Sequence, residues 1–97
     1  MLLVLQGPRI VSSRSHVASN DNVTLTCDTD HAPSFRQSYV WVKNHAVTLP
    51  ISGRQLHIVH ATHAKDGGSY TCAIGDDVSD GYNLIVYCKY CRLQVGR

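Results

Sequence analysis

No apolar run in these 97 residues approaches the roughly 18 needed to cross a bilayer as a helix. The opening Met1-Leu2-Leu3-Val4-Leu5 is also shorter than the apolar region of about 7 to 15 residues that a secretory leader carries. Charge is sparse: the net value is +2, and no stretch interleaves Lys and Arg with aromatics, so nucleic acid is not an expected partner. The chain has no nucleophile elbow, no phosphate-cradling glycine loop and no paired-carboxylate context. Its histidines, serines and acids therefore form no catalytic constellation, and neither enzyme activity nor a cofactor is expected. Gly75-Asp76-Asp77 matches a tripeptide of polymerase active sites, but 97 residues with this cysteine framework cannot build a palm domain.

What is present is period-two alternation. Val23, Leu25 and Cys27 alternate with Thr24 and Thr26, the pattern of a half-buried antiparallel strand. Tyr39 and Trp41 share one parity, with Val40 and Val42 on the other; Leu56 and Ile58, then Tyr70, Cys72 and Ile74, then Leu84 and Val86 repeat the theme. Breaks fall where turn chemistry concentrates: Asn20-Asp21-Asn22, residues 28 to 37, Pro50 to Gly53, and the Gly- and Asp-rich stretch from Gly75 to Gly81. From Arg9 to Ser19 the composition fits a first strand that breaks and switches sheets. Ala46 to Leu49 fits a short segment between the strand at Trp41 and the strand at Leu56. A chain of this length makes one domain with a modest core.

In Asp66-Gly67-Gly68-Ser69-Tyr70-Thr71-Cys72 a tyrosine stands two residues before a cysteine and an aspartate six before it, while Trp41 lies 14 residues after Cys27 and 31 before Cys72. On these residues the chain resembles the immunoglobulin superfamily over roughly residues 7 to 86. The resemblance implies an all-β, immunoglobulin-like two-sheet Greek-key β-sandwich. It further implies a Cys27–Cys72 disulfide between the sheets, Trp41 packed on it, and the Tyr70 hydroxyl bonded back to backbone at the corner that Asp66 opens; Leu25 and Leu56 complete the fold-defining core. Such a bridge is worth about 2 to 5 kcal/mol. The 45-residue cysteine separation is short for a variable-type domain and resembles the constant-2 or intermediate set. Those sets occur in tandem adhesion proteins and in receptors such as the sialic-acid-binding immunoglobulin-type lectins. Sugar binding in those lectins resides in a terminal variable-type domain and is not implied here. One departure stands out: Leu56 lies ten residues before Asp66, where the family pattern has nine, which implies an extra residue within 61 to 65 and leaves the register of strand E (Gln55 to His60) open by one.

The domain is expected over residues 7–88. Residues 1–6 read either as the end of a preceding domain, since Leu3-Val4-Leu5-Gln6 resembles Leu84-Ile85-Val86-Tyr87, or as a ragged start; residues 89–97 read as linker or fragment end. The implied function is non-catalytic recognition or spacing in a longer extracellular, membrane-anchored receptor or adhesion protein, with a protein ligand or neighbouring immunoglobulin-like domains as partners. The alternative is a structural intermediate-set domain of a giant intracellular muscle-type protein, where a disulfide would not persist.

Outward parity on the strands around Trp41 (C), over Ser69 to Ile74 (F) and over Tyr82 to Tyr87 (G) places Val40, Val42, Ala73, Ile85 and Tyr87 on one C-F-G sheet face, and a contiguous apolar patch there marks a protein-binding surface. Covering by a neighbouring domain, or simple β-propensity, would account for the same residues. Asn22-Val23-Thr24 is an N-glycosylation sequon, with Asn22 at the mouth of the strand that carries Val23, Leu25 and Cys27. Asp76, Asp77 and Asp80 make a partial oxygen set for calcium or, more simply, a solvated acidic turn. Cys88 and Cys91 form half of a zinc site, but no second pair has ligand spacing, so no metal is expected; pairing with another domain or chain, or a fragment end, are the other readings. His57, His60 and His63 read as surface histidines. Protonating all six histidines would take the net charge from +2 to +8 and make association pH-sensitive.

Overall fold

The computed structural model describes residues 8–29 and 38–88, which form two packed layers of antiparallel sheet. The expectations for residues 1–6, for 89–97 and for Cys91, and most of the loop expected over 28–37, lie outside the described residues. The first layer has the order β1-β3-β6, from β1 (Arg9–Ser12), β3 (Val23–Asp28) and β6 (Gln55–Ile58). The second has the order β5-β4-β7-β8, from β5 (Val47–Thr48), β4 (Tyr39–Lys43), β7 (Gly68–Ile74) and β8 (Asp77–Val78), and β9 (Tyr82–Leu84) also pairs with β7. β2 (Val17–Ala18) leaves the first layer and pairs in parallel with β10 (Val86–Tyr87), which continues β9 after Ile85. The first strand therefore breaks and switches sheets, as its sequence leads one to expect.

Alternation decides which side chains face the other layer. In β3 the burial pattern follows the sequence pattern residue by residue, with Val23, Leu25 and Cys27 inward and the threonines outward. Opposite them Leu25 pairs with Leu56 and Val23 with Ile58, which fixes the register of β6. From the second layer Tyr39, Trp41, Tyr70, Cys72, Ile74 and Leu84 close the core. Trp41 is fully buried directly across from Cys72, and its Nε1 donates to the Gly53 carbonyl at 2.9 Å, so the indole gains burial without leaving a donor unpaired.

The Cys27–Cys72 disulfide joins the two layers with a Cα–Cα distance of 6.0 Å. Closing a loop of 45 residues removes chain entropy worth about 4 kcal/mol from the unfolded state in the loop-closure account. For a core this small that is a large share of the stability.

The turn after β7 is tighter than its composition implies. Rather than running from Gly75 to Gly81, it is a two-residue hairpin, Gly75-Asp76, between paired Ile74 and Asp77. Gly75 takes φ 60 at the first central position, which costs glycine nothing. Asp77 and Val78 are consequently strand, and the interruption falls at Ser79-Asp80-Gly81. The segment expected around Ala46 to Leu49 appears as β5, paired with β4 through Val42–Thr48 and Lys43–Val47.

Candidate recognition face and the corner that supports it

At the corner between β6 and β7 the chain makes one helical turn, α1 (His63–Asp66), and its cap is reciprocal. Thr62 accepts the Lys65 N–H on its side chain at 3.1 Å, while the Asp66 carboxylate accepts the Thr62 N–H at 3.0 Å and pairs with the Lys65 ammonium at 3.1 Å. This fixes the Asp66 carbonyl where the Tyr70 hydroxyl reaches it at 2.5 Å. Burial, with the Asp66 carboxylate beside it, pushes the Tyr70 phenol up to about 12. The Lys43 ammonium lies 5.8 Å from the Tyr70 ring centroid and donates to the Lys65 carbonyl at 2.5 Å, tying β4 to the same corner.

The motif glycine has its own role. Gly68 sits at φ 145, and a Cβ there would meet the Asn44 Oδ1 at 2.7 Å. That oxygen accepts the Ser69 N–H at 3.0 Å, so the turn after β4 is latched onto the start of β7 only because position 68 lacks a side chain.

On the outer face of the second layer, Val40 pairs with Ala73 and Ala73 with Val78, giving one row across three strands. Val40 is 43 % exposed and Val78 62 %, with Ala73 half-buried between them. Val42 is only half-buried and lies across from Thr71, which is itself buried. Ile85 and Tyr87, 57 % and 54 % exposed, have the outward parity but belong elsewhere. Leu84 pairs with Gly68, five residues from Ala73, so Ile85 begins at least about 17 Å along the strand from the valine row. Tyr87 pairs with Ala18 and lies 6.5 Å, ring to ring, from His16. The five residues expected on one patch thus divide between the two ends of the sheet. Val78 joins the row although its sequence context reads as turn.

Ser79 turns inward in the same segment. Its N–H donates to the Cys72 carbonyl at 2.8 Å, and its hydroxyl accepts the Cys72 N–H at 2.9 Å and donates to the Asp80 carbonyl at 3.0 Å. A side chain thereby replaces the missing ladder partner of a disulfide cysteine. Asp76, Asp77 and Asp80 are exposed, and among the described residues no group of three or more His, Cys, Asp or Glu is placed to hold a metal ion. His57, in β6, and His60 and His63, at the corner, are exposed. Cys88 is disulfide-bonded, which removes the thiolate that a zinc site requires. No helix among the described residues is long and apolar enough to cross a membrane.

The sequence profile of the family described as "Immunoglobulin domain" matches residues 7–90. The chain belongs to the immunoglobulin domain family. Among solved structures, it is similar to the three N-terminal domains of the highly immunogenic outer capsid protein (Hoc) of bacteriophage RB49, at 21 % identity and a TM-score of 0.73. That match covers 86 % of this chain and 29 % of the phage chain, and it establishes a shared fold. No curated protein matches the chain. Domains of this family are generally non-catalytic binding or scaffold modules, and the buried disulfide, indole and tyrosine corner are what hold the two sheets together here.

Proposed function

We propose that this immunoglobulin domain is a recognition or spacer unit of a longer extracellular receptor or adhesion protein, and that it meets a protein partner through the face bearing Val40, Ala73 and Val78. The observation carrying this reading is the cross-strand row itself: two well-exposed valines flank a small residue on a face where strands normally present polar side chains. The Cys27–Cys72 bridge supports an oxidising compartment, because such a bond persists on secretory routes and is reduced in the cytosol. Val42 extends the row on β4, whereas Ile85 and Tyr87 stand with the β10 end, where a neighbouring domain of the same protein would abut.

Two measurements test this. Thiol mapping of the protein from its own cells is expected to find Cys27 joined to Cys72; free thiols at both would instead support a structural role inside the cell. A bivalent fusion of the intact domain, applied to cells and read by flow cytometry, is expected to lose binding with Val40→Glu or Val78→Glu and to keep it with Ile85→Glu. Equal binding by all three would remove the valine row as the recognition face.

A further inference from the structure

Asn22 opens the tripeptide Asn22-Val23-Thr24 and immediately precedes β3. Val23 is buried opposite Ile58, so strand alternation turns Asn22 and Thr24 to the outer side of the β1-β3-β6 layer, and Asn22 is exposed. On that side Thr26, Gln55 and His57 are polar, while Val11, across from Thr26, and Val59, next to Ile58, are exposed valines that a glycan at Asn22 would stand over. The valine row lies on the outer side of the other layer, with the whole core in between.

We infer that Asn22 is an N-glycan acceptor and that the glycan stands over the β1-β3-β6 face, leaving the opposite face open. The inference rests on the extracellular reading for its biological setting. In the transfer, the Asn22 Nδ2 attacks the anomeric carbon of a lipid-pyrophosphate-linked oligosaccharide. The carbon–nitrogen bond forms, the carbon–oxygen bond to pyrophosphate breaks, the lipid pyrophosphate departs with the electron pair, and one amide proton passes to base. The side-chain carbonyl is not consumed. It is that oxygen, Oδ1, which accepts the His60 N–H at 3.0 Å, so the glycosylated side chain retains its anchor across the sheet edge.

The Thr24 side chain sets the order of events. In the folded domain Asn22 Oδ1 is engaged by His60 and the Thr24 hydroxyl shares a hydrogen bond with His57 Nδ1 at 3.1 Å. The Oδ1 contact leaves the reacting Nδ2 untouched, whereas the Thr24 hydroxyl is engaged once β3 pairs with β6, and it is this engagement that favours transfer before the pairing.

The domain carrying an appended secretory leader, secreted from animal cells and weighed intact before and after amidase treatment, gives the test. The parent and Thr24→Ser are expected to carry a glycan that the amidase removes; Thr24→Ala, which retains Asn22, and Asn22→Gln are expected to carry none, with the Cys27–Cys72 link mapped in each as proof of folding. An unmodified secreted parent, or a glycan that survives Thr24→Ala, overturns the site. Purified oligosaccharyltransferase with lipid-linked oligosaccharide is expected to modify reduced, unfolded domain and to spare oxidised, folded domain; equal transfer to both overturns the order. The leader imposes the secretory route, so these results stand apart from where the protein resides in its own cells, which thiol mapping decides.

Discussion

The Tyr70 hydroxyl donates to the carbonyl oxygen of Asp66 at 2.5 Å, across the corner where the chain passes from one sheet to the other. Both residues are buried, so neither has water as a substitute partner. Tyr70→Phe keeps the ring and leaves that carbonyl unsatisfied, at an expected cost of about 1 to 3 kcal/mol. Urea unfolding of the two proteins at pH 7 measures it; equal midpoints would mean that the corner contributes nothing.

The same phenol makes stability sensitive to alkali. The phenol in the fold is pushed up to about 12 from an ordinary 10.0, by burial first and by the Asp66 carboxylate second, so the folded state holds a proton that the unfolded chain gives up. The contribution is complete below pH 10 and is lost as pH rises from 10 toward 12. Melting curves are expected to fall more steeply through that window for the parent than for Tyr70→Phe, the gap between them closing as pH rises.

Alternation makes most of the core legible in the sequence, because Val23, Leu25 and Cys27, or Tyr70, Cys72 and Ile74, face one layer by strand geometry alone. The valine row was not legible as a whole. Gly75, Asp76, Asp77, Ser79, Asp80 and Gly81 have turn composition throughout, yet two of them suffice for the hairpin, and Val78 belongs to a strand. Parity correctly sent Ile85 and Tyr87 outward but carries no information about position along the sheet, which depends on where the ladder is interrupted. The register of β6 depended likewise on the corner between Val59 and Asp66, where His60 takes φ 54 and α1 follows, a path that residue spacing does not encode.

Gly68 is the glycine of the corner motif, and the structure gives its reason. At φ 145 an L side chain is strained, and a Cβ would press on the Asn44 Oδ1 at 2.7 Å. Gly68→Ala is expected to cost about 1 to 3 kcal/mol from backbone strain before any loss of the Asn44 latch. Asn44→Ala in the same background reports on the latch: if the alanine at 68 has already broken it, the double variant is no less stable than Gly68→Ala alone. Thermal unfolding of the four proteins completes the cycle.

Ser79 holds the backbone of Cys72 where strand pairing pauses between β8 and β9. Its hydroxyl receives the Cys72 N–H at 2.9 Å in a buried setting, so Ser79→Ala leaves a donor with no partner at the residue that carries the disulfide. The expected loss is about 1 to 3 kcal/mol, from one oxygen atom. Amide hydrogen exchange separates this cause from a general loosening: Cys72 is expected to lose protection beyond the global change, while Trp41, its cross-strand neighbour, follows the global change alone. Ser79→Thr, which retains the hydroxyl, is expected to restore protection at Cys72. Uniform loss of protection along β7 in Ser79→Ala would show that the hydroxyl fills space and does not substitute for a ladder partner.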